Sequence, residues 1–463
     1  MTACGQMVHR WAEWQLMRKI IIIGAGAAGL MAAYAASAEN NKVILLERNE
    51  KPGKKLFITG KGRCNLTNAC DMKELQSHVV TNPKFLYSAF HRFTNQDMIA
   101  FLHDQGVETK VERGQRVFPL SDHSSDVIRA LKSACLKKKV DIRYYSRVSR
   151  ILTQEADLLH KGDVTQKEKL IQKSDLTQKD EDKKPVFAGV VLEDGSRIKG
   201  DALIIATGGY SYQTTGSDGD GYRFARELSH TVKEPAPSLV PFETRETWCR
   251  DLMGLSLKNV AVLIRLAKKT IYQGFGEFLF THYGVSGPLV LTASTRFGKK
   301  GLMEAMKEGR LLLYLDLKPA LDEEQLKKRF LREFDIWKNK NISNVIEQML
   351  PKKMVPVFLN IADVAPDKKV HDISRQERSR MIQTMKALPL HISGLRGFDE
   401  AIITRGGVHV REIDPMTMES KKVKNVYFAG EVMDVDAETG GYNLQIAWST
   451  GYVAGISAGT CPL

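Results

Sequence analysis

Ile20-Ile21-Ile22-Ile23-Gly24-Ala25-Gly26-Ala27-Ala28-Gly29, continued by Leu30-Met31-Ala32-Ala33-Tyr34-Ala35-Ala36, decides the fold. Four β-branched residues read as a buried strand, three glycines as a tight turn, and the Ala-rich run as a helix. The 19 residues from Ile20 to Ala38 carry no charge, which is also long enough for a membrane span. The β-branched opening and the glycines argue for strand-turn-helix instead, so no membrane partner is expected. A second strand, Val43 to Glu47, follows, and Arg18 to Arg48 reads as a βαβ unit of a parallel sheet covered on both faces. In that setting Gly24, Gly26 and Gly29 form a dinucleotide fingerprint. The first allows the tight turn, the second lets backbone approach a pyrophosphate, and the third packs helix on strand. The pyrophosphate would lie at the positively polarised N-terminus of the helix. Glu47, 18 residues beyond Gly29, would accept from ribose hydroxyls and repel a 2′-phosphate.

About 400 residues downstream stands a second strand and turn, Val426-Tyr427-Phe428-Ala429-Gly430-Glu431, followed by Gly440-Gly441-Tyr442-Asn443-Leu444-Gln445. A Rossmann dehydrogenase does not need such a segment. A flavoenzyme does, because a second strand end must meet the ribityl chain and phosphates. The expected cofactor is therefore tightly bound FAD, in a nucleotide domain with a large insertion. A third segment, Gly53-Lys54-Lys55-Leu56-Phe57-Ile58-Thr59-Gly60-Lys61-Gly62-Arg63-Cys64-Asn65-Leu66-Thr67-Asn68, is glycine-rich enough to crowd backbone amides around a ligand. Arg63 could pair with phosphate or a flavin carbonyl, and Asn65 and Asn68 with the ring edge. Cys64 reads as a proton donor to substrate carbon or as a small buried filler. No second GxGxxG occurs, so NADH or NADPH, if it is the reductant, docks transiently over the flavin.

The insertion opens near Pro235, Pro237 and Pro241 and closes near residue 398. Alternating segments such as Val260 to Leu266 predict β-structure over 236–319 and 389–397, and helical periodicity (Leu326, Phe330, Phe334) marks 320–388. The flanks, 18–235 and 398–463, form the Rossmann-like domain. Within it, 153–185 is a polar stretch with a repeated phrase, Asp163-Val164-Thr165-Gln166-Lys167 and Asp175-Leu176-Thr177-Gln178-Lys179, read as a charged surface insertion. His282 and Tyr283 lie on the large insertion beside Gly284-Val285-Ser286-Gly287-Pro288. One of them reads as the acid that protonates substrate, or His282 as a residue that stabilises the loop. Tyr210, Tyr212 and Tyr442 are further candidates.

The net charge of +14 permits a polyanionic partner. Residues 235–392 hold 26 Lys and Arg against 17 Asp and Glu, so 26 − 17 = +9 lies away from the nucleotide motifs. The six cysteines, Cys4, Cys64, Cys70, Cys135, Cys249 and Cys461, show no CxxC spacing, which argues against zinc and a disulfide scaffold and for the cytoplasm. No secretory signal opens the chain, and Met17 reads as an alternative start after a disordered extension.

Thr59 to Asn68, Phe280-Thr281-His282-Tyr283-Gly284-Val285-Ser286-Gly287-Pro288, and Ala429 to Gln445 together resemble the signatures of the HI0933-like (BaiN/RdsA) flavoproteins, in order over 18–463. The resemblance implies an α/β fold: a Rossmann-like FAD-binding domain interrupted by a β-barrel-like and helical insert. It implies FAD contacts from Gly24, Gly26, Ala27, Ala28, Gly29, Glu47, Gly62, Arg63, Cys64, Asn65, Gly430, Glu431 and the Gly441, Tyr442, Asn443, Leu444, Gln445 stretch. The last helix would begin there, with its N-terminus aimed at the flavin O2. The activities described for the family are reduction of Δ4 and Δ6 bonds of 3-oxo bile acids, reduction of uridine in large-subunit ribosomal RNA, and oxidation of small amines such as aminoacetone. The first two move hydride to a double bond conjugated with a carbonyl. A small enone of the steroid type leads among the expected substrates, with ribosomal RNA as the alternative.

Overall fold

The computed structural model describes residues 17–37, 41–154, 184–298 and 300–460. Except at its ends, the polar 153–185 stretch lies outside the described residues, as does the segment before Met17. The chain divides into two compact units, Met1–Ala236 with Ile403–Leu463, and Pro237–Ile402.

The first unit is built on a five-stranded parallel sheet. Its order is Val426–Phe428, Ala202–Ile205, Arg18–Ile23, Asn41–Leu46, Asp141–Arg143. Ile20 is in register with Ala202 on one side and Val43 on the other. Ile20, Ile21 and Ile22 are fully buried, as a strand covered on both faces requires. The uncharged run resolves into this strand and the helix Ala27–Ala36. Among the described residues no helix is long and apolar enough to cross a membrane.

The last helix, Tyr442–Thr460, lies along the opening helix at unusually close range. A Cβ on Gly451 would stand 2.4 Å from the Ala28 carbonyl oxygen, and one on Gly455 2.4 Å from that of Ala32. Glycines four apart share one helical face, and alanines oppose them, so the two backbones meet directly. Among the described residues, two three-stranded antiparallel sheets and two two-stranded sheets accompany the parallel one. One three-stranded sheet joins Val148–Thr153 to a hairpin, Phe187–Leu192 and Arg197–Lys199. The other sets Thr67–Asn68 against Arg116–Pro119 and Thr109–Glu112, and no signal for it was read from the sequence.

The second unit contains a closed six-stranded barrel. Its strands run in the order Phe242–Thr244, Gly284–Ser286, Lys269–Phe280, Ser256–Leu266, Leu311–Asp316, Leu388–Leu395. Val260, Val262 and Ile264 point inward, and Ala261, Leu263 and Arg265 outward. Helices follow at Glu323–Ile336 and Arg375–Lys386, each opened by a capping box, Asp322 with Gln325 and Ser374 with Glu377. Phe330 and Met381 from these helices share one core with Phe278, Leu313 and Leu390 of the barrel. The sequence divided β and helical parts here; the structure packs them as one body. The fold is thus the expected Rossmann-like domain with a barrel insert.

Candidate cofactor site

The three glycines of the opening turn meet three different surroundings. Gly24 has φ +97°, and a Cβ there would come within 2.6 Å of the Ala206 oxygen. A Cβ on Gly29 would stand 1.8 Å from the Gly24 oxygen, so only glycine lets the helix leave the strand. Around Gly26 a Cβ would meet nothing within 4 Å. One side of the turn is therefore open, and it lies at a helix N-terminus with no side-chain cap and no acid in the first turn. Uncapped backbone N–H groups beside open space fit the diphosphate of FAD.

Glu47 is almost fully buried beside this turn. One carboxylate oxygen accepts from the Ala25 N–H (2.8 Å), the other from the Asn49 N–H (2.9 Å) and side chain (2.7 Å). Three of about four acceptor sites are occupied, which leaves one for a ribose hydroxyl.

The segments expected to meet the flavin ring come together from positions more than 370 apart. The amide of Asn65 donates to the Thr67 carbonyl (3.1 Å) and accepts from the Gly441 N–H (3.0 Å). Asn68 donates to the Gly440 carbonyl (3.2 Å), Thr67 Oγ1 to Gln445 Oε1 (2.7 Å), and Trp448 Nε1 to the Leu66 carbonyl (2.9 Å). A seam of four bonds thus ties the 65–68 loop to the start of the last helix. Leading into it, Gly60, Lys61, Gly62 and Cys64 all have positive φ (57°, 59°, 85° and 59°). Two of these are non-glycine residues in a conformation that costs them on the order of 1 kcal/mol or more each. A Cβ on Gly62, like one on Gly26, would meet nothing within 4 Å.

Several side chains have other work than the sequence suggested. Arg63 does not reach for a ligand: Glu112 and Asp122 (2.6 Å) hold its guanidinium, which lies 4.2 Å over the Phe118 ring. Those partners come from the unrecognised hairpin and the loop after it, so Arg63 positions the loop. Cys64 is fully buried in the core, and burial pushes its thiol up to about 12, opposed by a hydrogen bond with Thr59. A neutral thiol among packing residues is the filler reading, not the donor. Gln445 is also fully buried, with its amide donating to the Phe93 carbonyl and Ser449 Oγ. Asn443 closes onto the backbone of Ala437 and Glu438. Tyr442 stacks on His78 at 4.3 Å. These three brace the helix start, and contacts to a cofactor would fall to backbone there and to Leu444, which is half-buried.

Gly430 packs against Ala28, where a Cβ would stand 2.9 Å from the alanine methyl. Glu431 then enters a cluster that sequence reading did not assemble. Its Oε1 accepts from Ser211 Oγ (2.8 Å) and the Thr404 N–H (2.7 Å), and its Oε2 from Lys55 Nζ (2.5 Å). The Thr207-Gly208-Gly209 turn was the available signal for Ser211. Lys55 carried none beyond its place in a lysine-rich loop.

The HI0933-like protein Rossmann domain profile matches residues 18–457. The chain belongs to this family. As a member of it, the chain is a flavin-dependent oxidoreductase, and the open turn and seam fit FAD. It is 30% identical over 448 residues to a 3-dehydro-bile acid delta(4,6)-reductase of Clostridium scindens, covering 96% of this chain and 100% of that protein. It is also 30% identical over 433 residues to a ribosomal RNA dihydrouridine synthase of Escherichia coli, covering 93% and 96%. A protein of the same description from Haemophilus influenzae matches at 30% over 444 residues, covering 94% and 97%. Identity therefore does not separate the two activities.

His282 and Tyr283 belong to the barrel unit. His282 is exposed, and its ring meets that of Tyr283 edge-on at 4.6 Å. The Tyr283 hydroxyl donates to Glu400 Oε2 (2.5 Å), while Arg396 lies 4.7 Å over the phenol ring and donates to Glu400 (2.7 Å) and Glu243 (2.9 Å). Burial, then the Glu400 bond, push the phenol up to about 12. Giving its proton to a substrate would leave a phenolate beside a carboxylate. The network thus suits Tyr283 as the residue that steadies His282, and argues against it as the acid.

Proposed function

We propose that the protein is an FAD-dependent reductase of carbon–carbon double bonds conjugated with a carbonyl, and that its substrate is a 3-oxo-Δ4/Δ6 bile acid or a related steroid. The observation that carries the flavin chemistry is the seam, which fixes the 65–68 loop to the start of the last helix, whose later turns pack on the helix that leaves the glycine turn. Bound FAD supplies the hydride exchange, with NADH or NADPH as its reductant. The chain's own residues bind and orient: uncapped N–H groups at Gly26 for the diphosphate, Glu47 for the ribose, Glu431 for the ribityl hydroxyls. His282 supplies the proton that the substrate carbon takes up. The substrate type is supported by the relatives, since delta(4,6) reduction and dihydrouridine formation both saturate a bond conjugated with a ring carbonyl.

A steroid is favoured over RNA because several basic side chains of the Pro237–Ile402 unit are engaged in ion pairs and so are not free to meet phosphates. Lys368 pairs with Glu377, Lys386 with Asp316, and Arg396 with Glu243 and Glu400. RNA remains the second reading, supported by 27 Lys and Arg against 19 Asp and Glu in that unit, 27 − 19 = +8.

The test is anaerobic. The purified yellow protein is reduced, and a 3-oxo-4,6-dienoyl bile acid or a ribosomal RNA fragment is offered as oxidant. Rapid reoxidation by the bile acid supports the proposal. Reoxidation by RNA alone replaces the steroid with RNA, and reoxidation by oxygen alone indicates an amine oxidase. With the working substrate, His282→Ala should slow reoxidation about a hundredfold and Tyr283→Phe less than about fivefold.

A further inference from the structure

The Lys55–Glu431 pair poses an electrostatic question. Glu431 is placed by Gly430, which lies against Ala28 on the opening helix. Lys55 is placed through Gly53, two residues earlier, whose N–H donates to the Ala25 carbonyl at 2.9 Å. Both side chains are therefore tethered to the glycine turn whose open face, at Gly26, suits a diphosphate. A carboxylate in that neighbourhood repels the phosphates. It is nonetheless held firmly, by Ser211 and the Thr404 N–H on one oxygen and by Lys55 on the other. Gly209 closes the cluster, since a Cβ there would come within 2.5 Å of Thr404 Oγ1 and 3.0 Å of Glu431 Oε1. Lys55 Nζ bonds Glu431 Oε2 (2.5 Å) and Ser211 Oγ (2.6 Å), and an ammonium has a third N–H.

We infer that Lys55 is a cofactor-binding residue of this chain, the cation that cancels Glu431 so that a carboxylate suited to ribityl hydroxyls can stand beside the FAD diphosphate, with its third N–H available to the phosphates. The inference rests on the FAD reading above. Lys55 and Glu431 are each about one-fifth exposed, so the pair acts in partly desolvated surroundings where such compensation is effective.

Titration of apoprotein with FAD, followed by flavin fluorescence quenching, tests it. Lys55→Met should weaken FAD binding at least about tenfold, and Lys55→Arg should keep most of the affinity. Adding Glu431→Gln to Lys55→Met should recover part of the loss, because the uncancelled charge is gone. Raising salt from about 0.05 to about 0.5 M should strengthen FAD binding by Lys55→Met more than by wild type, as screening relieves repulsion. The inference is overturned if Lys55→Met binds FAD within about twofold of wild type. It is equally overturned if the apoprotein loses melting temperature in step with affinity and Glu431→Gln brings no recovery, which is what a purely structural ion pair would give. If wild type takes up no FAD at all, the functional reading itself fails, and that result is seen before any variant is made.

Discussion

The two ends of the cofactor site are built in opposite ways. At the glycine turn the three glycines fall within six positions, and two of them, Gly24 and Gly29, answer to backbone atoms, those of Ala206 and of Gly24 itself. At the seam, Leu66, Thr67 and Asn68 each bond a residue more than 370 positions away. The turn is a matter of sterics, settled as soon as strand and helix pack. The seam is a matter of buried hydrogen bonds, settled only when the last helix arrives. The two should therefore fail differently.

The largest effect is expected from Gly29→Val. Its side chain must displace backbone at Gly24, so a loss of more than about 4 kcal/mol and little soluble flavoprotein are expected, measured by yield and thermal unfolding. Normal folding of that variant would break the steric account. Gln445→Leu is the counterpart at the seam. It takes the acceptor of the Thr67 hydroxyl, while Ser449 and the Phe93 carbonyl keep each other, and denaturant unfolding of the apoprotein should show a loss of about 2 kcal/mol.

His230 sharpens the comparison, because it braces the strand that leads into Gly430. It is nearly fully buried, bonds Ser420 at 2.7 Å and meets the Phe428 ring edge-on. Burial lowers its pKa from 6.5 to about 4. The folded state therefore resists protonation that the unfolded chain accepts. Stability from this group is complete above about pH 6.5 and is lost as pH falls towards about 4, roughly 2 to 3 kcal/mol in all. His230→Asn should flatten the stability profile across that window, and an unchanged slope would remove the residue from the account. The smallest change in stability is expected at Gly26→Ala, whose methyl group meets no protein atom. Apoprotein melting should not move, while FAD binding should weaken at least about tenfold. Unaltered FAD affinity would mean that the open side of the turn is not where the diphosphate lies.

The same contrast governs what could be read from the sequence. The strand, turn and helix at residues 18–36 were legible because their causes are local: β-branched residues, then glycines, then alanines. The barrel strands were legible from alternation, as at Val260 to Ile264. The role of Arg63 was not, because its partners Glu112 and Asp122 belong to a hairpin whose short strands carry no clear period. Gln445 was expected to contact FAD at the start of the last helix, and its side chain is a buried crosslink to Thr67, Phe93 and Ser449. Lys55 is one basic residue among 68, and only the approach of Ser211 and Glu431 distinguishes it. Residue types announce turns and cores, whereas polar partners drawn from distant segments appear only once the chain is folded.

The packing of Gly451 and Gly455 on the opening helix also has a consequence in time. The opening helix is made well before its partner, with 405 residues between Ala36 and Tyr442. At about 5–20 residues per second, roughly 20 to 80 s of translation separate them. The contiguous Pro237–Ile402 unit emerges whole within that interval and can fold on the ribosome, while its host waits. Loading of the cofactor then becomes a test of synthesis past this point: a chain that stops before Tyr442 would carry a finished insert and an unfinished nucleotide domain.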